Sequence, residues 1–285
     1  MKKPIPVYPE FKDKVIVVTG GGGVLCGEMA VTMAHQHGKV AILDLKKENA
    51  ERVADMIRNQ GGEAIGIACN VLDKKSLADA HHEVINNYGS CDILINGAGG
   101  NHPKGTTTKT HLVKEDLTSD EEITTFFDLD PEGIAFVFNL NFLGTLLPVQ
   151  EFAKDMIGRE GCSIINISSM NAFTPLTKIP AYSGAKAAVS NFTAWLAVHF
   201  SKVGIRVNAI APGFFLTDQN RSLLTTPDGD LTTRGNQIID QTPMGKFGTA
   251  EDLNGVLVWL CSESAGFVTG IVVPVDGGFS AYSGV

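Results

Sequence analysis

Tyr182 and Lys186 stand four residues apart in Tyr182-Ser183-Gly184-Ala185-Lys186, at the start of an apolar stretch with helical spacing. On a helix this spacing puts both side chains on one face, one turn apart. A phenol with a pKa near 10 is a poor acid or base at neutral pH unless a nearby cation stabilises its phenolate. Lys186 is the cation that the spacing offers. Thirteen residues before Tyr182, Ser169 follows the β-rich run 162–168. A hydroxyl at a strand end can hydrogen-bond a carbonyl oxygen as negative charge develops on it. The Tyr–Lys pair alone would equally suit an exposed helix contact. Ser169 turns the reading toward proton transfer at a C–O bond.

A second constellation lies near the N-terminus, where Thr19-Gly20-Gly21-Gly22-Gly23-Val24-Leu25-Cys26-Gly27 joins an apolar run to a helical pattern. Glycines at a strand-to-helix turn let backbone approach a pyrophosphate, and the helix start offers free N–H groups. A Gly-rich turn without ligand is the plain alternative. Three later features agree with the groove. Asp44, followed by Leu45, ends the second apolar run, where its carboxylate would accept hydrogen bonds from adenosine ribose hydroxyls. Because Asp44 repels a 2′-phosphate, the expected cofactor is NAD rather than NADP. The third run closes at Asn70-Val71 and the fourth at Asn96-Gly97-Ala98-Gly99, whose small residues admit a cofactor against the backbone.

These residues need a frame. The 285 residues, 44% of them hydrophobic, suffice for a sizeable core, and one α/β domain over 1–285 is the simplest organisation. Short β-rich runs at 14–19, 39–44, 64–71, 92–96, 163–168, 206–210 and 271–275 alternate with helical patterns at 27–37, 46–59, 74–88, 131–158, 181–203 and 250–261. Such alternation predicts a Rossmann-type doubly wound seven-stranded parallel sheet with helices on both faces. Inserts near 100–130 and 214–249 are too long for simple connections and read as lids or excursions at the ligand-binding end.

Composition narrows the function classes. A formal charge of −8, with no basic block, argues against nucleic acid. No run reads as a membrane span or a signal peptide, which predicts a cytoplasmic protein. The five cysteines lack zinc or disulfide spacing and read as buried free thiols. No metal is expected: His35 and His37 point in different directions, and His81-His82 has no matching acidic ligands at strand ends.

In this order the motifs resemble the short-chain dehydrogenase/reductase family from Lys14 to Phe279: Thr19-Gly20, Asp44, Asn96-Gly97-Ala98-Gly99, Asn141-Phe142-Leu143-Gly144, Ser169, Tyr182, Lys186, Asn208 to Gly213 with Thr217, and Val275-Asp276-Gly277-Gly278. The resemblance implies a catalytic tetrad of Asn141, Ser169, Tyr182 and Lys186. Lys186 would also bind the nicotinamide ribose, and Asn141 would help hold a proton-relay water. Pro212, Gly213, Phe215 and Thr217 would line the nicotinamide half of the cofactor. Two positions depart from the family pattern. Its TGxxxGxG turn, laid on without gaps, meets Val24 and Cys26 where glycines belong, and Gly97 stands where a second Asn is usual.

The first insert, with Asn101-His102-Pro103-Lys104, resembles a subgroup acting on sugar acids, the D-mannonate oxidoreductases (fructuronate reductases). So do Ser169-Met170-Asn171, Gly22 to Cys26 and Phe127 to Asp130. A hexuronate needs polar donors and a cation, for which Asn101, His102, Lys104, Asn171, Arg221 and Arg234 are the candidates. A gluconate 5-dehydrogenase or another polyol reductase is the rival enzyme, and a cofactor-binding sensor the rival outside catalysis. The family's habit implies a homotetramer packed through the helices near 131–158 and 181–203.

Overall fold

The computed structural model describes residues 5–217 and 220–284. Seven strands, β1 (Val15–Thr19), β2 (Lys39–Asp44), β3 (Glu63–Ala68), β4 (Ile93–Asn96), β5 (Cys162–Ile167), β6 (Ile205–Pro212) and β7 (Val272–Val275), form one sheet. Every pairing is parallel, in the order β3-β2-β1-β4-β5-β6-β7. This is the Rossmann-type doubly wound arrangement. The order reverses between β1 and β4, which opens a crevice beyond their C-terminal ends.

Strand side chains alternate between faces, so a sheet covered on both sides needs unbroken apolar strands. Ile16 and Val18 of β1 enter the core on one face with Ile42 and Ile95, while Val15 and Val17 enter the other with Leu43 and Leu94. The helices covering these faces are α1 (Val24–His35), α2 (Lys47–Asn59), α3 (Lys74–Tyr88), α4 (Pro131–Phe138), α5 (Gly144–Phe152), α6 (Pro180–His199) and α9 (Asn254–Cys261). In α2 the buried residues are Ala50, Val53, Ala54 and Ile57, the apolar stripe of its sequence.

The structure shifts several expected boundaries. Helix α1 begins at Val24, earlier than the expected 27, because Gly23 takes an extended conformation (φ −78°, ψ 169°) and serves as N-cap. It ends at His35, since His37 adopts the left-handed region (φ 64°) and turns the chain into β2. The expected helix 131–158 is instead a broken rod: α4, a π-turn over Asn139–Leu143, α5 and a 3-10 turn over Ala153–Met156. That rod, Pro131–Met156, has the length and hydropathy of a membrane span, which corrects the reading of the sequence as free of such a run. Here it packs against α3 and α6, with Val149 and Phe152 in the core.

Neither insert is a bare loop. Residues 99–130 form three 3-10 turns, one of which, Pro103–Gly105, packs on α4. The second insert contains α7 (Arg221–Leu224) and α8 (Thr233–Asp240), joined by a Thr225–Leu231 bridge.

Candidate active site

The glycine turn is pressed against the end of β4. Gly20 has φ 64°, and a β-carbon there would lie 2.8 Å from the Ala98 backbone. Thr19 Oγ1 accepts the Gly97 N–H at 3.1 Å and the Ala98 N–H at 3.4 Å, fastening the two strand ends. The ladder of α1 starts with the Gly27 N–H donating to the Gly23 carbonyl at 2.8 Å, so the N–H groups of Val24, Leu25 and Cys26 lie outside it. They form the anion-receiving end expected of this turn.

The two departures from the family pattern meet in space. The Cys26 side chain is buried and fills the position that a β-carbon on residue 97 would take. Cys26 therefore requires glycine at 97, and an Asn there has no room. Burial raises the Cys26 thiol to about 12, so it is a packing group at neutral pH.

Asp44 reaches back into the turn. One carboxylate oxygen accepts the Gly22 N–H at 3.1 Å and the other accepts the Lys46 N–H at 3.1 Å. An ionised carboxylate has about four acceptor sites, so two remain for a pair of vicinal hydroxyls. Leu45 and Asn70 are exposed at the same end, and the buried Val71 packs against Gly144. Two residues expected to touch the cofactor have their side chains elsewhere. Asn96 is 1% exposed and donates to Asn166 Oδ1 at 2.9 Å, within the seam between sheet and α6. Phe215 is buried against Gly248, because its alternate position after β6 points to the core.

On the other side of the crevice, α6 carries Tyr182 and Lys186. Lys186 is 4% exposed, and its Nζ donates to the Ile167 carbonyl at 2.7 Å while standing 5.7 Å from the Tyr182 ring centroid. Burial lowers its pKa to about 8. Burial also raises the Tyr182 phenol above its usual value, and the Ser169 hydroxyl bonded to it pulls it back. The phenol is thus tuned first by burial and Ser169, where the sequence pointed to Lys186 alone. The fastening of α6 to β5 explains why these groups converge. Ser168 Oγ bonds the Lys186 carbonyl at 3.2 Å and Ser190 Oγ at 2.7 Å, and Asn166 donates to Thr193 at 2.9 Å.

Asn141 lies in the π-turn and is fully buried. Its Nδ2 donates to the carbonyls of Gly100 and Val137, each at 2.7 Å, and its Oδ1 accepts the Gly100 N–H at 3.3 Å. The tetrad Asn thus anchors the loop leaving β4. A β-carbon on Gly99 would sit 2.7 Å from Asn141 Oδ1 and 3.2 Å from Lys186 Nζ, which places those two groups around one point. π-turns inside helices recur at functional sites for this reason: they re-aim one residue.

The residues expected at the substrate scatter more. The His102 ring lies 5.1 Å from that of Phe136, and its Nδ1 accepts the Lys104 N–H at 3.2 Å, leaving Nε2 as the donor of the neutral ring. Asn101 donates to Thr106 at 3.0 Å. Lys104 is engaged with Asp130 at 2.8 Å, bracing the insert to the N-cap of α4. Asn171 is buried in the 3-10 turn after Ser169, to whose hydroxyl its N–H donates at 3.2 Å. Arg221 and Arg234 ride on α7 and α8, and Arg221 is exposed. Thr217 and Gly213 frame the end of β6; Gly213 follows the buried Pro212 and lies so close to Asp276 that a β-carbon would be 2.5 Å away.

His81 was missed as a structural centre. Its ring is held between Glu151 and Asp155, both at 2.9 Å, locking α3 to α5 and to the 3-10 turn that follows it; the acidic partners lie on this rod, not at strand ends. Among the described residues no cluster of three or more His, Cys, Asp or Glu is arranged to hold a metal. A cavity of about 600 Å³, lined by Lys14, Glu160 and Arg206 among others, lies at the opposite, N-terminal edge of the sheet. Open parallel sheets bind ligands at the C-terminal edge, where the tetrad converges, and we place the site there.

A half-buried tyrosine beside a buried lysine, facing a glycine turn across a strand-order reversal, defines a dinucleotide-dependent oxidoreductase. The chain belongs to the short chain dehydrogenase family, whose model matches residues 14–228. It is 56% identical to a crystallised protein from Haemophilus influenzae, provisionally assigned as a D-mannonate oxidoreductase and solved with bound NAD; the likeness covers 96% of this chain and 97% of that one, with a TM-score of 0.92. It is 50% identical to UxuB of Bacillus subtilis (strain 168), an oxidoreductase of uncharacterised reaction, over 99% of this chain and 100% of that one. At 29% identity over 93% of each chain it resembles the 7alpha-hydroxysteroid dehydrogenase of Escherichia coli (strain K12).

Proposed function

We propose that the protein is an NAD(H)-dependent dehydrogenase that interconverts a sugar-acid alcohol and its keto form, with D-mannonate and D-fructuronate as the pair. The observation that carries this reading is the full-length likeness to the Haemophilus protein, insert included. The site supports it chemically. His102 offers a ring N–H beside Asn101, above the loop that Asn141 anchors, and both suit a polyhydroxylated substrate.

Tyr182 hydrogen-bonds the reacting oxygen, giving its proton during carbonyl reduction and taking one during alcohol oxidation. Ser169 steadies the same oxygen as charge develops. Lys186 contributes positive charge from below, fixed by the Ile167 carbonyl. The nicotinamide cofactor, when bound, would supply the hydride as NADH or accept it as NAD⁺. Asp44 favours NAD by receiving two ribose hydroxyls and repelling a 2′-phosphate.

The same reading extends to assembly and setting: one NAD-binding catalytic domain over 1–285, acting in the cytoplasm on a small molecule, as a homotetramer, away from nucleic acid and membranes. Exposed Phe136, Phe138 and Leu143 on the α4–α5 rod and Trp195 and Val198 on α6 support the assembly, and five buried free cysteines suit a reducing compartment. Assay of purified enzyme against a panel of hexonates and hexuronates with NAD and NADP tests the reaction. Turnover of D-mannonate with NAD at a kcat/KM well above that of D-gluconate is expected. Preference for gluconate or for a non-acidic carbonyl overturns the assignment.

A further inference from the structure

With no glycine at 24 or 26 to allow the usual close packing, Gly22 is held through both of its flanking peptides. The Gly22 N–H is held by Asp44 Oδ2 at 3.1 Å. Its carbonyl is held from the other side by Arg52 of α2, whose Nη2 donates at 2.7 Å. A β-carbon on Gly22 would lie 2.7 Å from Asp44 Oδ2 and 2.6 Å from Asn49 Cβ, so the clamp also dictates glycine here. The other Arg52 terminal nitrogen meets only the Met56 sulfur, at 3.9 Å. Among the described residues no carboxylate pairs with this guanidinium within salt-bridge distance, although Asp44 grips the same residue of the turn.

We propose that Arg52 is a positioning residue of the adenosine pocket and the group that would receive a 2′-phosphate if the Asp44 charge were absent. By fixing the Gly22 carbonyl it holds, from the following peptide, the residue whose own N–H is bonded to Asp44. Its charge is fixed on the same glycine that the Asp44 carboxylate holds, and its second terminal nitrogen meets only a weak sulfur acceptor that a phosphate oxygen would outcompete. While Asp44 is ionised, repulsion of a 2′-phosphate prevails. Once that charge is removed, Arg52 is a cation fixed at the turn, with the exposed Lys46 and Lys47 nearby in the chain, and a 2′-phosphate becomes its natural partner. The inference rests on the assignment of NAD to this groove and is independent of the sugar acid.

The test is direct binding of NADH and of NADPH, by fluorescence titration of the purified enzyme without substrate, for wild type, R52A, R52K, D44N and the D44N/R52A double variant. Wild type should bind NADH; binding neither nucleotide refutes the groove itself, a failure distinct from that of Arg52. R52A should weaken NADH about tenfold with its melting temperature retained, and R52K should restore most of the loss. D44N should shift the NADPH-to-NADH affinity ratio about a hundredfold toward NADPH. In D44N/R52A that shift should shrink at least tenfold. A double variant with the ratio of D44N, or an R52A enzyme binding NADH like wild type, overturns the proposal. Thermal melting of each variant separates loss of fold from loss of grip, and the ratio of two nucleotides on one variant is unaffected by any common loss of stability.

Discussion

The Cys26 sulfur occupies the space that a β-carbon on Gly97 would need, so the helix after the glycine turn and the end of β4 interlock through one side chain and one missing side chain. Two oddities of the sequence are thereby one contact. Replacing Gly97 by Asn should cost about 1–3 kcal/mol through overpacking, read as a lower melting temperature, and weaken NADH binding by moving the turn. The C26G/G97N double variant should recover most of both. A double variant as damaged as G97N refutes the pairing.

Removal of the phenol should separate binding from chemistry. Tyr182→Phe keeps the ring, and a positioned acid or base contributes on the order of 10²–10⁴ in rate. Turnover should fall by that order while NADH titration stays within a few-fold of wild type. Undiminished turnover would falsify the role of Tyr182.

Lys186 predicts a pH effect of definite sign. Its folded pKa is lowered from 10.5 to about 8 by burial. Between these values the unfolded chain binds the proton that the folded one has released, so its contribution makes stability rise with pH from about 8 to 10.5. Below pH 8 the buried charge is a standing cost, at roughly 1.4 kcal/mol per pKa unit. Lys186→Met should therefore melt higher than wild type at pH 7, with the difference shrinking as pH approaches 10.5, while activity is lost. Parallel melting curves for the two proteins across this range would refute the assignment.

Gly99 tests whether Asn141 and Lys186 act around one point. A methyl there would press on Asn141 Oδ1 at 2.7 Å and Lys186 Nζ at 3.2 Å. Gly99→Ala should lower kcat tenfold or more with little change in the circular dichroism spectrum. Unchanged kcat would mean that the loop yields and the two groups are not coupled through it.

The exposed apolar faces of the α4–α5 rod and of α6 should be covered in solution. Light scattering should give four times the 30.3 kDa chain mass. Trp195→Glu should lower that mass, since a charge cannot be buried unpaired in an apolar interface. A monomer at micromolar concentration refutes the tetramer.

The strands were legible in the sequence because each is an apolar run with β-branched residues, and a sheet covered on both faces demands that pattern locally. The same holds for Tyr182 and Lys186, whose common face follows from helical spacing, and for Ser169, which follows a strand. Helix boundaries were less legible: Val24 starts α1 only because Gly23 is held extended against the preceding strand end, and the rod after Pro131 breaks at Asn141 because that side chain is drawn to the backbone of Gly100.

What the sequence by itself determined is therefore the fold class and the common helix face of Tyr182 and Lys186, since periodicity and spacing are local properties. Only the tertiary structure decided that Lys104 serves Asp130, that Asn96 and Phe215 face inward, that Cys26 fills the room of residue 97 and that Arg52 holds Gly22. Each of these depends on a partner distant in the chain. Hydrogen bonding and close packing choose such partners only once the elements are stacked, and no local pattern records the choice.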